Sequence, residues 1–338
     1  MTELPNSDLI YVTHHGGHRS SYLRALGGGL GLDPYVQRPG IATALALIRA
    51  RALLFATMED SLAFFAAVAL VRDLLRRPTA AVFMNPRTFF EPANGKTKAK
   101  YWLARLLNAR RRIAMVSILP HTLDSRHAEI SRGWMYDPEF WDLGDVIAKP
   151  APPVPQSLAE TLVQIGHKPY LLFAGRIDGT KGFDFFVQGL REARALGLDC
   201  VFVAAGPLAP GCARQAAQFE ELGGVLINRF LADEELLALQ RSARCLWACY
   251  RPDYNSSSGI FGRAVQLGQC VVVNHGSYLD RLALLLEVSA VRCRYGNGAE
   301  LRTILRDLFS TPSAPAGDPT GNTQRRLFSL AQLRNVLS

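Results

Sequence analysis

The chain has 338 residues, 49% of them hydrophobic, and a formal net charge of +9. This is enough apolar material for a large core divided over two domains, and no apolar run reaches the ~18 residues of a membrane span; the nearest candidate, 41–71, is broken by Arg49, Arg51, Glu59 and Asp60. The basic balance suits nucleic acid, anionic lipid or a polyanionic small molecule, but no RRM, KH or zinc pattern accompanies it, so nucleic acid is not an expected partner.

The opening residues, MTELPNSDLI, lack the basic and apolar regions of a signal peptide. Leu9–Thr13 reads as a strand, followed by a glycine-containing turn and a helix over Ser20–Leu26. A strand over Ala52–Thr57, a helix over Ser61–Arg77, a strand over Ala80–Met84, a helix over Lys96–Asn108 and a strand over Ile113–Leu119 continue the alternation, which implies parallel strands with crossover helices. Lys96–Arg112 carries seven Lys or Arg and no acid. Within it Ala99, Trp102, Leu103, Leu106 and Leu107 recur at helical spacing as one apolar face. This describes either an ordinary domain helix with a solvated basic side or one that docks on an anionic membrane surface.

Lys149–Pro155, KPAPPVP, cannot continue a helix or central strand and reads as a connection between domains 1–152 and 153–312. The second half is expected to hold strands at Tyr170–Ala174, Cys200–Ala204, Val225–Ile227, Cys245–Ala248 and Cys270–Asn274. Helices are expected at Phe183–Leu196, Ala213–Glu221, Asp233–Ser242 and Gly259–Leu267. Residues 313–338 are set apart, with Thr311–Thr323 as a mobile loop before a final helix. The six cysteines form no CxxC pair and mostly sit in apolar surroundings, as buried thiols of a cytoplasmic protein do.

Two segments carry chemistry. In AGRIDGTKG, Arg176 and Lys181 stand between glycines at a strand's carboxyl end, where ligands bind sheets of this kind. A planar guanidinium and a compact ammonium can hold a diphosphate and offset charge on a leaving phosphate. In Asn255–Arg263, NSSSGIFGR, small residues open a helix and offer backbone N–H groups to an anion. Each alone is as well explained by a solvated loop or an ordinary helix cap. His14 and His18 lack a third ligand for zinc, and no DxD pair occurs, so no metal site is expected.

Taken together, 170–277 resembles the nucleotide-sugar-binding domain of GT-B glycosyltransferases, especially family 4. GRIDGTKGFDFFVQGL is similar to that family's GRxDxxKGxxxLxxA signature, and VFVAAGPL, NRFLADEELLALQRSARCLWACY and AVQLGQCVVVNHGS follow in the family's order. The resemblance implies an α/β GT-B fold, two Rossmann-like doubly wound domains facing a central cleft. It implies transfer of a sugar from a nucleotide diphosphate sugar to a glycan, lipid-linked or small hydroxyl acceptor. No cofactor is expected beyond the donor itself. Arg176 and Lys181 would hold the donor diphosphate, assisted by N–H groups around Ser257, Ser258 and Gly259. The family's paired glutamates fall here on Asn255 and Arg263, and a guanidinium cannot accept a hydrogen bond from a ribose hydroxyl.

In the first half, YVTHHGGH is similar to the family's first strand and glycine loop, which places Gly16, Gly17 and His18 toward donor and acceptor. Met58-Glu59-Asp60 ends the second strand, where the family often carries a histidine-containing turn. The family's histidine near the reacting sugar falls on Asn85, with His121 as an alternative. A silent partner subunit and a sugar-nucleotide epimerase remain the alternative readings. Loss of both glutamates favours the first, and the second would need in-cleft carboxylates.

Overall fold

The short, apolar, often β-branched runs become strands buried on both faces, the pattern of parallel sheets covered by helices. The structure, a computed structural model, describes residues 7–16, 18–147, 155–310 and 319–337, without the side chains of His18, Asp145, Pro319 and Thr320. The chain divides into two units, 1–142 with 320–338, and 143–319. The division comes earlier than the proline-rich connection, of which 149–154 lie outside the described residues.

The first unit's sheet contains β1 (Leu9–Val12), β2 (Asp33–Val36), β3 (Leu53–Phe55), β4 (Thr79–Phe83), β5 (Ile113–Ser117) and β6 (Gly133–Trp134). All pair in parallel, in the order β2-β1-β3-β4-β5-β6. The expected helix Ser20–Leu26 runs instead from His18 to Leu30 in three pieces, with a π-helical turn over Leu23–Gly27. Leu47, Phe55, Phe65, Phe83, Leu107 and Met115 are buried in one core cluster.

Arg72 is the largest charged side chain in that interior, with no exposed surface. Its Nη1 donates to the carbonyls of Leu47 (2.8 Å) and Ala50 (2.6 Å), its Nη2 to Pro78 (2.7 Å) and its Nε to Thr79 Oγ1 (2.8 Å). One guanidinium therefore caps the end of helix Ile41–Arg49, whose last carbonyls lack intrahelical partners, and ties it to the start of β4. Burial pulls its pKa down to about 10, with Arg77 adding to the effect, so it stays charged at neutral pH.

Helix Gly95–Asn108 buries the expected apolar stripe only in part, through Leu107 and the partly buried Leu103. Thr97, Ala104 and Leu107 point inward, whereas Ala99, Trp102 and Leu106 are exposed, Trp102 by 62%. The buried contact is made by Thr97, Ala104 and Leu107, with Tyr101 and Leu103 packed against the same core. Trp102 lies instead against Tyr101 and Arg105 on the outer surface.

From Pro319 the stretch expected to be loop is already helical, and the helix Pro319–Leu337 belongs to the first unit. Leu330 and Leu333 are buried, and Phe328 packs on Trp134 and Tyr136 at ring centroid distances of 4.8 and 5.4 Å. A Cβ on Gly29 would come within 2.7 Å of Leu330, so that helix–helix approach needs glycine. Arg334 donates to the Gly29 carbonyl at 2.8 Å. Residues 311–318 lie outside the described residues.

The second unit holds β7 (Tyr170–Ala174), β8 (Val201–Ala205), β9 (Val225–Ile227), β10 (Cys245–Ala248), β11 (Val271–Asn274) and β12 (Ala290–Cys293). They pair in parallel in the order β12-β11-β10-β7-β8-β9. Phe173, Phe183, Phe186, Phe202, Phe219 and Trp247 fill its core, and five of the six free cysteines are buried. The expected helices appear as Phe183–Ala195, Ala213–Glu221, Asp233–Ser242 and Gly259–Leu267.

Arg72→Met keeps the volume and removes every one of these donors. Unpairing several buried carbonyls at once should cost about 3 kcal/mol or more, measured as a lower urea midpoint with an unchanged slope.

Candidate functional site

In the second unit the strand order reverses between β7 and β10, because β8 and β9 are laid down on one side and β11 and β12 on the other. This reversal at the carboxyl edge is where ligands of doubly wound sheets bind, and the loops leaving β7 and β10 meet there, the Arg251 N–H donating to the Thr180 carbonyl at 3.3 Å. The Arg-Lys loop leaves β7, and the Ser-Gly segment follows β10.

The geometry of the first loop comes from Asp178. Its Oδ1 accepts from the Lys181 N–H (3.1 Å) and from Thr180 Oγ1 (2.7 Å), forming a tight turn over Gly179–Lys181. Gly182 ends the turn at φ +73°, and a Cβ there would meet the Cys249 carbonyl at 2.5 Å. Only glycine lets this loop sit so close to the end of β10. Lys181 is half-buried, with Nζ 5.7 Å from the Tyr250 ring centroid. An added Cβ on Gly175 would meet the same Nζ at 3.2 Å and Ile260 at 3.9 Å, which puts Lys181 beside the first turn of helix Gly259–Leu267. The Arg176 side chain is 68% exposed, with Nε 3.5 Å from Asp178.

Ser258 caps that helix. Its Oγ accepts from the Phe261 N–H and lies 2.9 Å from Tyr250 Oη. The hydroxyl is thus committed to the fold, and what the helix offers a ligand is backbone N–H groups. Tyr254 Oη donates to the Ser257 carbonyl at 2.8 Å and holds the approach to the cap. Asn255, Ser257 and Gly259 are half-buried in the same segment. Arg263 is also half-buried and engaged by a contact within the chain. Arg176, Lys181 and residues 255–259 thus lie around one reversal point, joined by Tyr250, a residue the sequence analysis did not single out.

The first unit reverses between β1 and β3. Gly16, after β1, is exposed, and its N–H donates to His14 Nδ1 at 3.0 Å. Gly17 and the His18 side chain lie outside the described residues. Asp60, after β3, gathers donors from both sides of the reversal: Arg19 Nε (2.7 Å), Thr13 Oγ1 (3.0 Å) and Thr57 Oγ1 (2.7 Å). Burial acts to raise its pKa, but these donors hold the carboxyl below its ordinary value.

Glu59 next to it has the opposite environment. Burial raises its pKa to about 7, against backbone amides from Asn85, Glu59 itself and Met84, and the Asp60 charge adds to the rise. Asn85 follows β4 and is half-buried, with its N–H donating to Glu59 Oε1 at 2.6 Å. His121 stands after β5, its Nε2 2.9 Å from Ser131 Oγ. Burial lowers its pKa, offset in part by the Gly133 carbonyl. Asn85 and His121 therefore belong to different hydrogen-bonded groups. The sequence showed the Glu59–Asp60 pair at a strand end but not its division of labour. Among the described residues no group of three His, Cys, Asp or Glu could hold a metal ion, and no helix is long and apolar enough to cross a membrane.

No family model matches the chain, and no curated protein matches it in sequence. Solved structures match in fold. HepE of Anabaena in complex with UDP aligns with a TM-score of 0.67 at 10% identity, over 98% of this chain and 99% of that one. MnaA of S. aureus with UDP gives 0.61 at 10% identity, over 98% of both chains. The UDP-forming α,α-trehalose-phosphate synthase of Burkholderia xenovorans, with glucose-6-phosphate, gives 0.52 at 9% identity, over 87% of this chain and 74% of that one. These likenesses show the fold: an α/β GT-B architecture of two Rossmann-like, doubly wound units.

Proposed function

We propose that the chain is a glycosyltransferase, a divergent relative of family 4, that moves a sugar from a nucleotide diphosphate sugar to a hydroxyl of a glycan, lipid-linked or small acceptor. The observation that carries this reading is the meeting of Arg176, Lys181 and the N-terminus of helix Gly259–Leu267 at the β7/β10 reversal. Two cations and a helix N-terminus match a diphosphate in charge and geometry. During transfer the bond from the anomeric carbon to the diphosphate oxygen breaks and the acceptor oxygen bonds to that carbon. Negative charge then grows on the leaving diphosphate, where fixed positive groups stabilise it. The UDP bound to HepE and MnaA makes UDP the first nucleotide to test here.

Arg176→Ala and Lys181→Ala should each weaken UDP binding by about 1.5–3 kcal/mol, the worth of a hydrogen bond to a charged group, while uridine without phosphates is barely affected. Titration calorimetry checks both. Unchanged UDP affinity in both variants moves the anion site elsewhere, and a wild-type chain that binds no nucleoside diphosphate is a silent subunit.

The same charges fill the role that a divalent cation plays in metal-dependent transferases, so we read the enzyme as metal-independent. Turnover is expected to persist in excess EDTA, and an absolute need for Mn²⁺ or Mg²⁺ would contradict the charge argument.

Helix Gly95–Asn108 supports a peripheral place on an anionic membrane surface, on the cytoplasmic side. Trp102 and Leu106 are exposed among Lys98, Arg105, Arg110 and Arg111, and the buried free thiols fit a reducing compartment. Each basic residue near such a surface contributes about 1 kcal/mol, screened by salt. Vesicle co-sedimentation should require anionic lipid, weaken with salt and fall in Arg110→Glu/Arg111→Glu. Binding that is indifferent to lipid charge would remove the segment from this role.

A further inference from the structure

At the β1/β3 reversal two adjacent carboxyl groups are treated oppositely. Asp60 receives Arg19 and two threonine hydroxyls. Glu59 receives backbone amides and, among the described residues, no ion pair with a cation. Environments that separate neighbouring acids in this way give them different protonation states and different roles.

The hydrogen-bond geometry points to the same division. Two buried oxygens lack a partner here: Oε2 of Glu59 and Oδ1 of Asn85. They belong to residues already joined by the 2.6 Å bond from the Asn85 N–H to Glu59 Oε1. Two acceptors cannot satisfy each other, and leaving both unmade costs the desolvation of each. A hydrogen on Oε2 turns that oxygen into a donor, and the unpartnered acceptor on the residue already bonded to Glu59 is Asn85 Oδ1. Burial and the Asp60 charge favour that proton, the ordinary carboxyl value of 4.5 rising to about 7. Among the described residues the closed-off, unpartnered atom of the Asn85 amide is its oxygen and not its nitrogen.

We propose that a proton on Glu59 Oε2, shared with Asn85 Oδ1, fixes the Asn85 side-chain amide so that its Nδ2–H₂ faces outward as a donor to a sugar hydroxyl or ring oxygen. Glu59 is then a positioning residue acting through Asn85. The sugar as ligand rests on the transferase reading above; the shared proton does not. Loss of the proton turns the amide: an ionised Glu59 takes an N–H from Asn85, which then shows its carbonyl outward and loses the donor. The charged or titratable groups on the elements around Glu59 are Asp60 with its partner Arg19, Tyr22 on Asp137 with Glu139 beside it, Arg87 on Glu91, and His18 on the helix of Arg19. Asp60 opposes a further negative charge on Glu59, and Arg19 is committed to Asp60.

Glu59→Gln carries the hydrogen permanently and is the discriminating variant. Infrared difference spectra between wild type and Glu59→Gln should show a protonated-carboxyl carbonyl band in wild type that fades as pH rises through about 7. Because the folded-state pKa lies above the unfolded one, its stabilising effect is complete below 4.5 and is lost as pH rises toward about 7. The wild-type melting temperature should therefore fall relative to Glu59→Gln over that window. With a UDP-sugar donor the wild-type KM should rise above that point and level off about tenfold higher, the worth of one hydrogen bond, while that of Glu59→Gln stays level. A missing carboxyl band at pH 6, or a Glu59→Gln deficit in stability equal at pH 5 and pH 8, overturns the shared proton. If the band and the stability profile behave as stated but no UDP-sugar is used, the transferase reading fails and the proton assignment stands.

Discussion

Both units rest on one constraint. Parallel strands joined by helical crossovers must cover both faces of the sheet, and right-handed connections then lay successive strands outward from a starting pair. A sheet covered on both sides has to reverse its direction of growth once. It does so at β1/β3 in the first unit and β7/β10 in the second. The reversal leaves two carboxyl-end loops without a neighbour between them. Around these two gaps the chain gathers its unusual polar groups: Arg176, Lys181 and the helix at Gly259 at one, Thr13, Arg19, Glu59 and Asp60 at the other.

The two edges use opposite electrostatics. At β7/β10 positive charge is left accessible, with Arg176 mostly exposed and Lys181 over an aromatic face. At β1/β3 the Asp60 charge is paired with Arg19, and burial works against a charge on Glu59. The first edge presents cations to solvent and the second presents polar groups whose charges are paired or disfavoured. Arg72 illustrates a third use of charge, purely internal, in which a guanidinium serves as a set of donors for carbonyls that the helix end leaves over.

The parts legible in the sequence are those where local pattern and tertiary role coincide. β7 with its glycine-bounded Arg-Lys loop could be read because an apolar run, a turn and a helix follow one another within 170–195. The missing pieces have non-local causes. β2, DPYV, contains Asp33 and Pro34, which propensity argues against, and an edge position tolerates the proline. β6 is only Gly133–Trp134, too short to carry a period. The helix face at Ala99, Trp102 and Leu106 was left open by its spacing, which reveals that a stripe exists and not whether anything covers it. Glu59 and Asp60 are adjacent acids in the sequence. Their opposite environments come from other elements, since Arg19 pairs with Asp60 while burial acts on Glu59.

The final helix ties the end of the chain to its beginning, since Leu330 fits against Gly29 and Phe328 lies between Trp134 and Tyr136. The second unit is consequently an insertion within the first. As the chain leaves the ribosome, the second unit has all its strands by Cys293, before 320–338 emerge. The first unit, although it begins earlier, must wait with the apolar surface around Gly29 and Trp134 uncovered until 320–338 emerge. The order of completion is thus the reverse of the order of synthesis, and the interval between them is a time when a chaperone has something to hold.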